Sequence, residues 1–293
     1  METLSKQHLI ETEELAERIA DGDNSLRVVD MRGFVRTRTD ETGKVQSADY
    51  LGAKTDYAVS HIPGALYFDW TKDLIDPEAE VPVQAASGEQ FAALLEGAGI
   101  GNEHTVIAYD HHPASQFATR LWWLFHLYGH HHIRVLNGGW TKWIREAREV
   151  TTETPVYPKS SFLHRLQPEW RATAEEVLSL LHKDDVTLID ARDRAQFTGA
   201  IRRATYGGRI PGAIHLPREA FFSEEGMFQP VSILQDIAAE QKLDPEKRIV
   251  AYCNGGVAAT TVLFTLSMLG YTNLTNYDGS WNEWGERDDL PRE

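Results

Sequence analysis

Apolar and polar positions follow two different periods along this chain. Short β-branched runs typical of buried strands lie at 26–30, 105–109, 133–136, 186–190, 248–252 and 273–277. Between them, apolar residues at three- and four-residue spacing predict helices at 11–21, 88–98, 115–128, 173–183, 232–241 and 258–269. Strands that alternate with helices predict an α/β fold, in which mainly parallel sheets carry helices on both faces.

This pattern occurs twice, and matching segments come in the same order. The first copy contains "LRVVDMR", "SHIPGALYF" and "TVIAYD", and the second contains "VTLIDAR", "GRIPGAIHL" and "RIVAYC". Such self-similarity indicates a duplicated unit, so we predict tandem domains at 1–149 and 163–293. The segment 150–162 is rich in Pro, Ser and Thr and is the predicted linker. The extra residues of the first copy, mainly 33–60, are polar and predict a surface loop.

Composition narrows the classes of partner and location. The 293 residues carry a net charge of −15, which argues against nucleic acid or an anionic membrane as partner. No run of eighteen apolar residues indicates a transmembrane helix, and the N-terminus lacks the apolar core of a signal peptide. One cysteine cannot form an intrachain disulfide, so nothing indicates an oxidising compartment. We expect a cytoplasmic protein.

The only cysteine, Cys253, follows a predicted strand and precedes a predicted helix. Sites in parallel α/β sheets form at this end of the strands. N–H groups of a loop leading into a helix favour negative charge there, and Gly255 and Gly256 permit close backbone approach. A buried structural cysteine is the alternative. The first copy has Asp110 at this position, whereas a structural core position should hold similar residues, so we interpret Cys253 as a reactive nucleophile.

The matching motifs resemble those of the two-domain rhodanese family, the thiosulfate and 3-mercaptopyruvate sulfurtransferases. They are the strand ends "DMR" and "DAR", the turns "HIPGA" and "RIPGA", the "YC" loop, and the terminal "NGGWTKW" and "DGSWNEW". The resemblance covers nearly the whole chain. It implies two rhodanese-like domains, of which the first is catalytically silent and the second carries the nucleophile.

The resemblance implies sulfur transfer through a persulfide on Cys253. The thiolate takes the outer sulfur of thiosulfate or 3-mercaptopyruvate, both small anionic donors, and passes it to a thiol or cyanide. Backbone N–H groups would hold the anionic sulfur; they belong to Asn254, Gly255, Gly256, Val257, Ala258 and Ala259. The covalent persulfide requires no separate cofactor. A thioredoxin-like reductant is a further candidate partner.

The loop departs from the family where the donor is held. Thiosulfate-type members carry Arg and Lys where this chain has Asn254 and Gly255, and mercaptopyruvate-type members carry a hydroxyl residue at the second of these positions. The family's substrate-binding Arg aligns with Gln196. A neutral loop favours a mercaptopyruvate-like donor over the thiosulfate dianion.

Other residues of the second copy are candidates for supporting roles. Asp190 and Arg192 match the family's strand-end pair, and we expect them to brace the loop. Arg202, Arg203 and Arg209 follow within the same copy and could replace the missing cations.

Two other functions remain open at this point. A cysteine phosphatase needs an Arg that closes the loop after five intervening residues, but this chain has Ala259 at that position. A non-catalytic rhodanese-like module that binds a partner or relays sulfur would tolerate the incomplete donor-binding residues. The histidines at 111–112 and 130–132 lack the spacing of a metal site, and none is expected.

Overall fold

Each half of the chain folds around a five-stranded parallel sheet. The computed structural model describes residues 6–293. The strands of the first half are β1 (Leu9–Ile10), β2 (Leu26–Asp30), β3 (Gly33–Thr39), β4 (Gln46–Gly52), β5 (Ala65–Tyr67), β6 (Thr105–Tyr109) and β7 (Ile133–Leu136). Those of the second half are β8 (Arg171–Ala172), β9 (Val186–Asp190), β10 (Ile214–His215), β11 (Arg248–Tyr252) and β12 (Leu274–Tyr277).

The two sheets have the same topology. Their strand orders are β1-β7-β6-β2-β5 and β8-β12-β11-β9-β10. The central strands are buried on both faces, as in β2, because helices cover the two sides of a parallel sheet. The predicted α/β fold of two tandem domains with parallel sheets is therefore confirmed, and the six predicted strands match the observed ones to within one residue.

Helices connect the strands and begin close to the predicted positions. The first half contains α1 (Thr12–Ala20), α2 (Lys54–Val59), α3 (Gly88–Gly97), α4 (Gln116–Leu127) and α5 (Gly139–Arg145). The second contains α6 (Ala174–Leu180), α7 (Arg194–Phe197), α8 (Val231–Glu240), α9 (Ala259–Met268) and α10 (Ser280–Trp284). Helix α6 ends three residues before its predicted end, and His182 beyond it has a φ of 63°. No helix within residues 6–293 is long and apolar enough to cross a membrane.

The polar insertion at 33–60 is ordered structure, which corrects the prediction of a surface loop. Strands β3 and β4 form an antiparallel hairpin from the pair Gly33–Gly52 to the pair Thr39–Gln46. The Asp40 carboxylate accepts N–H bonds from Lys44 and Val45 and stabilises the turn. Polar composition hid the hairpin because residues 36–39 of β3 are all exposed, while Gln46 and Tyr50 of β4 form hydrogen bonds with polar side chains of the second half.

The two domains share one hydrophobic core. Helices α4 and α9 are equivalent in the two copies and pack against each other, with Trp122 and Phe264 in edge-to-face contact at 5.1 Å. The Thr119 hydroxyl lies 3.0 Å from that of Thr260 across the same contact. Each of these helices begins at the strand-end loop of its own domain. Their packing therefore brings the two strand-end loops close together.

The predicted linker at 150–162 lies in a stretch without regular helix or strand. It packs on the first domain: the Tyr157 hydroxyl donates to the Gly64 carbonyl at 2.9 Å, and Phe162 is buried beside Phe91. The domain boundaries themselves stay a prediction.

Candidate active site

Cys253 lies at the carboxyl end of β11, between that strand and α9. Its side chain is buried, with 3% of its surface exposed. The Cys253 N–H donates to the Ser280 hydroxyl at 3.1 Å, and its carbonyl accepts from the Trp281 N–H at 3.0 Å. These bonds attach the residue to the start of α10, so the sulfur is held in one place.

The loop after Cys253 presents unpaired backbone donors. Among the described residues, the N–H groups of 254–259 donate no hydrogen bond to the protein. Gly256 adopts a φ of 69°, and a Cβ there would lie 2.7 Å from the Asp278 carbonyl oxygen, so only glycine fits. Buried N–H groups are nearly always paired, so a row of unpaired donors beside a thiol indicates a site for an anion.

The same junction in the first domain already holds an acidic group. The Asp110 carboxylate accepts backbone N–H bonds from His112, Phe117 and Ala118 at 2.8 to 2.9 Å. Asp110 is completely buried, and this burial raises its pKa to about 7 against the opposing effect of the three hydrogen bonds. Within the described residues, the junction after Cys253 contains no equivalent acceptor for the N–H groups of residues 254–259.

A cavity of about 270 Å³ adjoins Cys253 between the two domains. The second domain lines it with Arg192, Asp193, Gln196, Arg203, Arg218, Cys253, Asn254, Gly255, Val257 and Ala258. The first domain lines it with Val35, Thr37, Gln46, Tyr50, Trp70, Val83, His112 and Gln116. The first domain therefore forms about half of the wall.

Two cations in this wall have unused hydrogen-bond donors. Arg203 Nη2 and Arg218 Nε are buried, and neither has a partner among the described residues. Burial lowers the pKa of Arg203, a cost that a bound anion would offset. Arg203 is one of the three replacement cations that the sequence suggested. The sequence did not identify Arg218 as a candidate, because a single Arg after "HLP" gives no indication that its side chain lines the cavity.

Arg202 and Arg209 do not reach the cavity, which corrects the expectation that they compensate for the neutral loop. Arg202 donates to the Thr205 carbonyl on its own loop. Arg209 pairs with Glu293 at 2.9 Å and lies over the Phe197 ring. The sequence does not show where the Arg202 and Arg209 side chains point, because their loop has no regular secondary structure that fixes their orientation.

Arg192 lines the cavity, but its guanidinium is already occupied. It pairs with Asp190 at 2.6 Å, donates to the Gly208 carbonyl at 2.7 Å and stacks over Trp281 at 4.4 Å. Both members of the ion pair are buried. This arrangement fits the bracing role expected for the pair.

Gln196 and Asn254 form a neutral hydrogen-bonded pair at the start of the loop that follows Cys253. The Asn254 amide donates to Gln196 Oε1 at 2.8 Å, and the Gln196 amide donates to Asp193 at 2.7 Å. Of the remaining loop residues, Gly255, Val257 and Ala258 line the cavity, whereas Ala259 is buried as the first residue of α9.

His112 is a second contributor that sequence reasoning assigned no role. Its Nδ1 accepts the Ala114 N–H at 3.0 Å, which places the proton of the neutral ring on Nε2. Burial lowers the pKa of His112 to about 3, and the nearby Arg218 adds to the shift. The ring therefore faces the cavity as a neutral side chain. No cluster that could hold a metal ion is found among the described residues.

Comparisons with known proteins agree with this geometry. A family model for the rhodanese-like domain matches residues 11–146 and 173–287. The chain belongs to the rhodanese family. It is 35% identical to a thiosulfate sulfurtransferase of Corynebacterium glutamicum over 249 residues, 81% of each protein. It is 30% identical to the thiosulfate sulfurtransferase of Gallus gallus over 237 residues, 80% of this chain and 82% of that one.

A solved rhodanese structure extends the match to nearly the full length. SseA from Escherichia coli, described as a 3-mercaptopyruvate sulfotransferase, superposes with a TM-score of 0.78 at 28% identity and covers 93% of this chain and 98% of its own. The predicted resemblance and the sulfurtransferase activity are thus confirmed. The rhodanese relatives include proteins named for each of the two donors.

Proposed function

We propose that this rhodanese transfers sulfur through a persulfide on Cys253. The observation that carries this assignment is the row of unpaired N–H groups at 254–259 beside the only cysteine of the chain. Those donors would stabilise both the thiolate and the terminal sulfur of the persulfide without any reorganisation. The second domain is therefore the proposed catalytic unit and the first domain its silent partner.

The cycle balances with either donor. The Cys253 thiolate attacks the outer sulfur of thiosulfate, the S–S bond breaks, and sulfite leaves with the bonding electron pair. With 3-mercaptopyruvate the C–S bond breaks instead, and the carbon receives the thiol proton to give pyruvate. In both cases the enzyme holds a persulfide anion, and attack by cyanide or a thiolate on its outer sulfur restores the Cys253 thiolate.

Arg203 and Arg218 are the proposed donor-binding cations. Their unpaired N–H groups and the cavity beside Cys253 suit a small anion such as a sulfonate or carboxylate. The loop is neutral, as the sequence shows, but the cavity is not. The neutral loop therefore gives no strong reason to prefer 3-mercaptopyruvate, and we propose that both donors are used.

The proposed acceptors are cyanide and thiols, including the dithiol of a thioredoxin-like reductant. The persulfide carries the sulfur between the two half-reactions, so no separate cofactor takes part in the proposed cycle. A reduced thiol is needed at the start of each turnover, which fits the cytoplasmic location expected from the sequence.

Steady-state rates with thiosulfate and 3-mercaptopyruvate test the donor site. Arg203→Gln is expected to lower kcat/KM about tenfold or more for both donors, because it removes a buried charge-assisted donor. Arg209→Gln is the matched control, since Arg209 pairs with Glu293 away from the cavity, and its rates should stay within about twofold of wild type. Unchanged rates in folded Arg203→Gln protein would exclude Arg203 as a donor-binding residue.

A further inference from the structure

A buried arginine of the silent domain contacts the loop that follows Cys253. Arg120 lies on α4 with 2% of its surface exposed. Its Nη1 donates to the Gly256 carbonyl at 3.2 Å and pairs with Asp278 at 2.6 Å. Its Nη2 donates to the Val83 carbonyl at 3.1 Å. One guanidinium therefore joins the loop, the α10 turn and a cavity wall from the first domain.

The contact with Gly256 fixes the orientation of a peptide group in the anion site. The Gly256 carbonyl also accepts the Asn276 amide at 2.9 Å. In a planar trans peptide the N–H points opposite to the carbonyl. Because Arg120 and Asn276 hold the carbonyl of the 256–257 peptide on their side, the Val257 N–H faces the other way, toward the cavity that Val257 lines.

The hydrogen bond from Arg120 to the Val83 carbonyl also fixes the cavity wall opposite the loop. Val83 adopts a φ of 61°, which is strained for a β-branched residue. A Cβ on Gly255 would lie 2.4 Å from Val83 Cγ2, so the Val83 side chain lies directly against the backbone of the loop. Arg120 holds the Val83 carbonyl and thereby keeps this wall against the loop.

Asp278 balances the charge and completes the connection between the domains. Its second oxygen accepts the Ala85 N–H at 2.9 Å and lies 3.3 Å from Arg171. The buried cation is thus fully paired, as a buried charge must be. Because Asp278 holds the guanidinium in place, the Nη1 group of Arg120 donates to the Gly256 carbonyl in a fixed orientation.

We propose that Arg120 is a positioning residue through which the silent domain holds the anion site around Cys253 in its active geometry. This inference rests on Cys253 as the nucleophile. Without Arg120, the 256–257 peptide can rotate and turn its carbonyl toward the sulfur, which replaces an attractive dipole by a repulsive one. The first domain thus contributes to the reaction, although the nucleophile lies in the second domain.

Two substitutions and a matched control test the role of Arg120. Arg120→Gln removes the charge and the fork of donors, while Arg120→Lys keeps a cation that can reach one carbonyl. Arg27→Gln is the control, because Arg27 is a buried arginine of the same domain that donates to the carbonyls of Gly99 and Leu26 and does not contact the loop. The readouts are the rate of Cys253 alkylation by iodoacetamide against pH, and kcat and KM with thiosulfate.

Arg120→Gln should move the pH of half-maximal alkylation upward by about one unit and lower kcat at least about tenfold with little change in donor KM. Arg120→Lys should recover part of both effects, and Arg27→Gln should lose stability with an unchanged pH profile. The other charged or titratable groups facing the cavity stay the same in every variant; they are Tyr50, His112, Arg192, Asp193, Arg203 and Arg218.

An unchanged profile and kcat in folded Arg120→Gln protein would overturn the proposal, as would the same shift in Arg27→Gln. If Arg120→Gln does not fold, Asn276→Ala takes its place, because it removes the other donor to the Gly256 carbonyl. Full activity in Cys253→Ser would instead show that the nucleophile is wrong, so the two failures are distinguishable.

Discussion

Gly255 occupies the position where mercaptopyruvate-type relatives carry a hydroxyl residue, and the structure explains the difference. The Val83 side chain fills the space that a Cβ would need. Valine has a stiff χ1 and cannot turn aside without repacking the wall. The missing hydroxyl therefore follows from the contact between the domains, which no inspection of the loop sequence alone could show.

Gly255→Ser should accordingly reduce both stability and activity. Overpacking against Val83 is expected to cost about 1–3 kcal/mol of unfolding free energy. Urea denaturation and thiosulfate turnover measure the two effects. The double variant with Val83→Ala should regain most of the stability; a single variant as stable as wild type would contradict the described contact.

The buried Asp110 carboxyl group is expected to make the free energy of unfolding depend on pH. Its pKa is raised to about 7 in the folded protein from an ordinary value near 4, so the folded state retains a proton that the unfolded state has lost between these values. The stability contributed by Asp110 is full below the ordinary value and disappears as the pH rises through about 7. Asp110→Asn removes this dependence.

Urea denaturation of wild type and of Asp110→Asn from about pH 4 to pH 8 tests this pH dependence. The unfolding free energy of wild type relative to Asp110→Asn should fall with increasing pH, by at most about 1.4 kcal/mol per pH unit, and level off above neutrality. Other titrating groups are common to both proteins and cancel. A difference that does not vary with pH would contradict the raised pKa.

At the scale of elements, the β3–β4 hairpin is the feature that sequence periodicity did not reveal. It belongs to the first domain but contacts the second: the Gln46 N–H donates to the Arg202 carbonyl at 2.8 Å, and the Arg202 N–H donates to the Lys44 carbonyl at 2.9 Å. Its residues Val35 and Tyr50 line the cavity. The hairpin therefore limits access to Cys253.

Replacing residues 35–50 by an Asn-Gly turn between Phe34 and Leu51 should open the cavity. These two residues are cross-strand partners, so a two-residue turn can connect them. Alkylation of Cys253 by a bulky maleimide should accelerate more than alkylation by iodoacetamide, because only the larger reagent is excluded by size. Equal acceleration of the two reagents would show that the hairpin does not select by size.

For the whole molecule, the shared core makes the second domain dependent on the first. The core residues of α4 and α9 belong to one cluster, and the first domain supplies about half of the cavity wall. Residues 163–293 alone would expose the apolar face of α9. We expect this fragment to bind a hydrophobic dye such as ANS and to lack sulfurtransferase activity; a compact, active fragment would contradict the shared core.

Much of this architecture was predictable because duplication and strand periodicity are local patterns. The strand ends, Cys253 and its silent counterpart Asp110 followed from those patterns. Arg218, His112 and the Arg120 contacts did not, because each depends on how the domains pack. The directions of Arg202 and Arg209 likewise depend on a loop whose conformation no periodicity specifies.

The most direct test of the account is the intact mass of the protein after incubation with each donor. Since Cys253 is the only cysteine, persulfide formation should add about 32 Da, and cyanide should remove that mass as thiocyanate forms. Cys253→Ser should gain no mass. Folded wild-type protein that acquires no sulfur from either thiosulfate or 3-mercaptopyruvate would contradict sulfur transfer through Cys253.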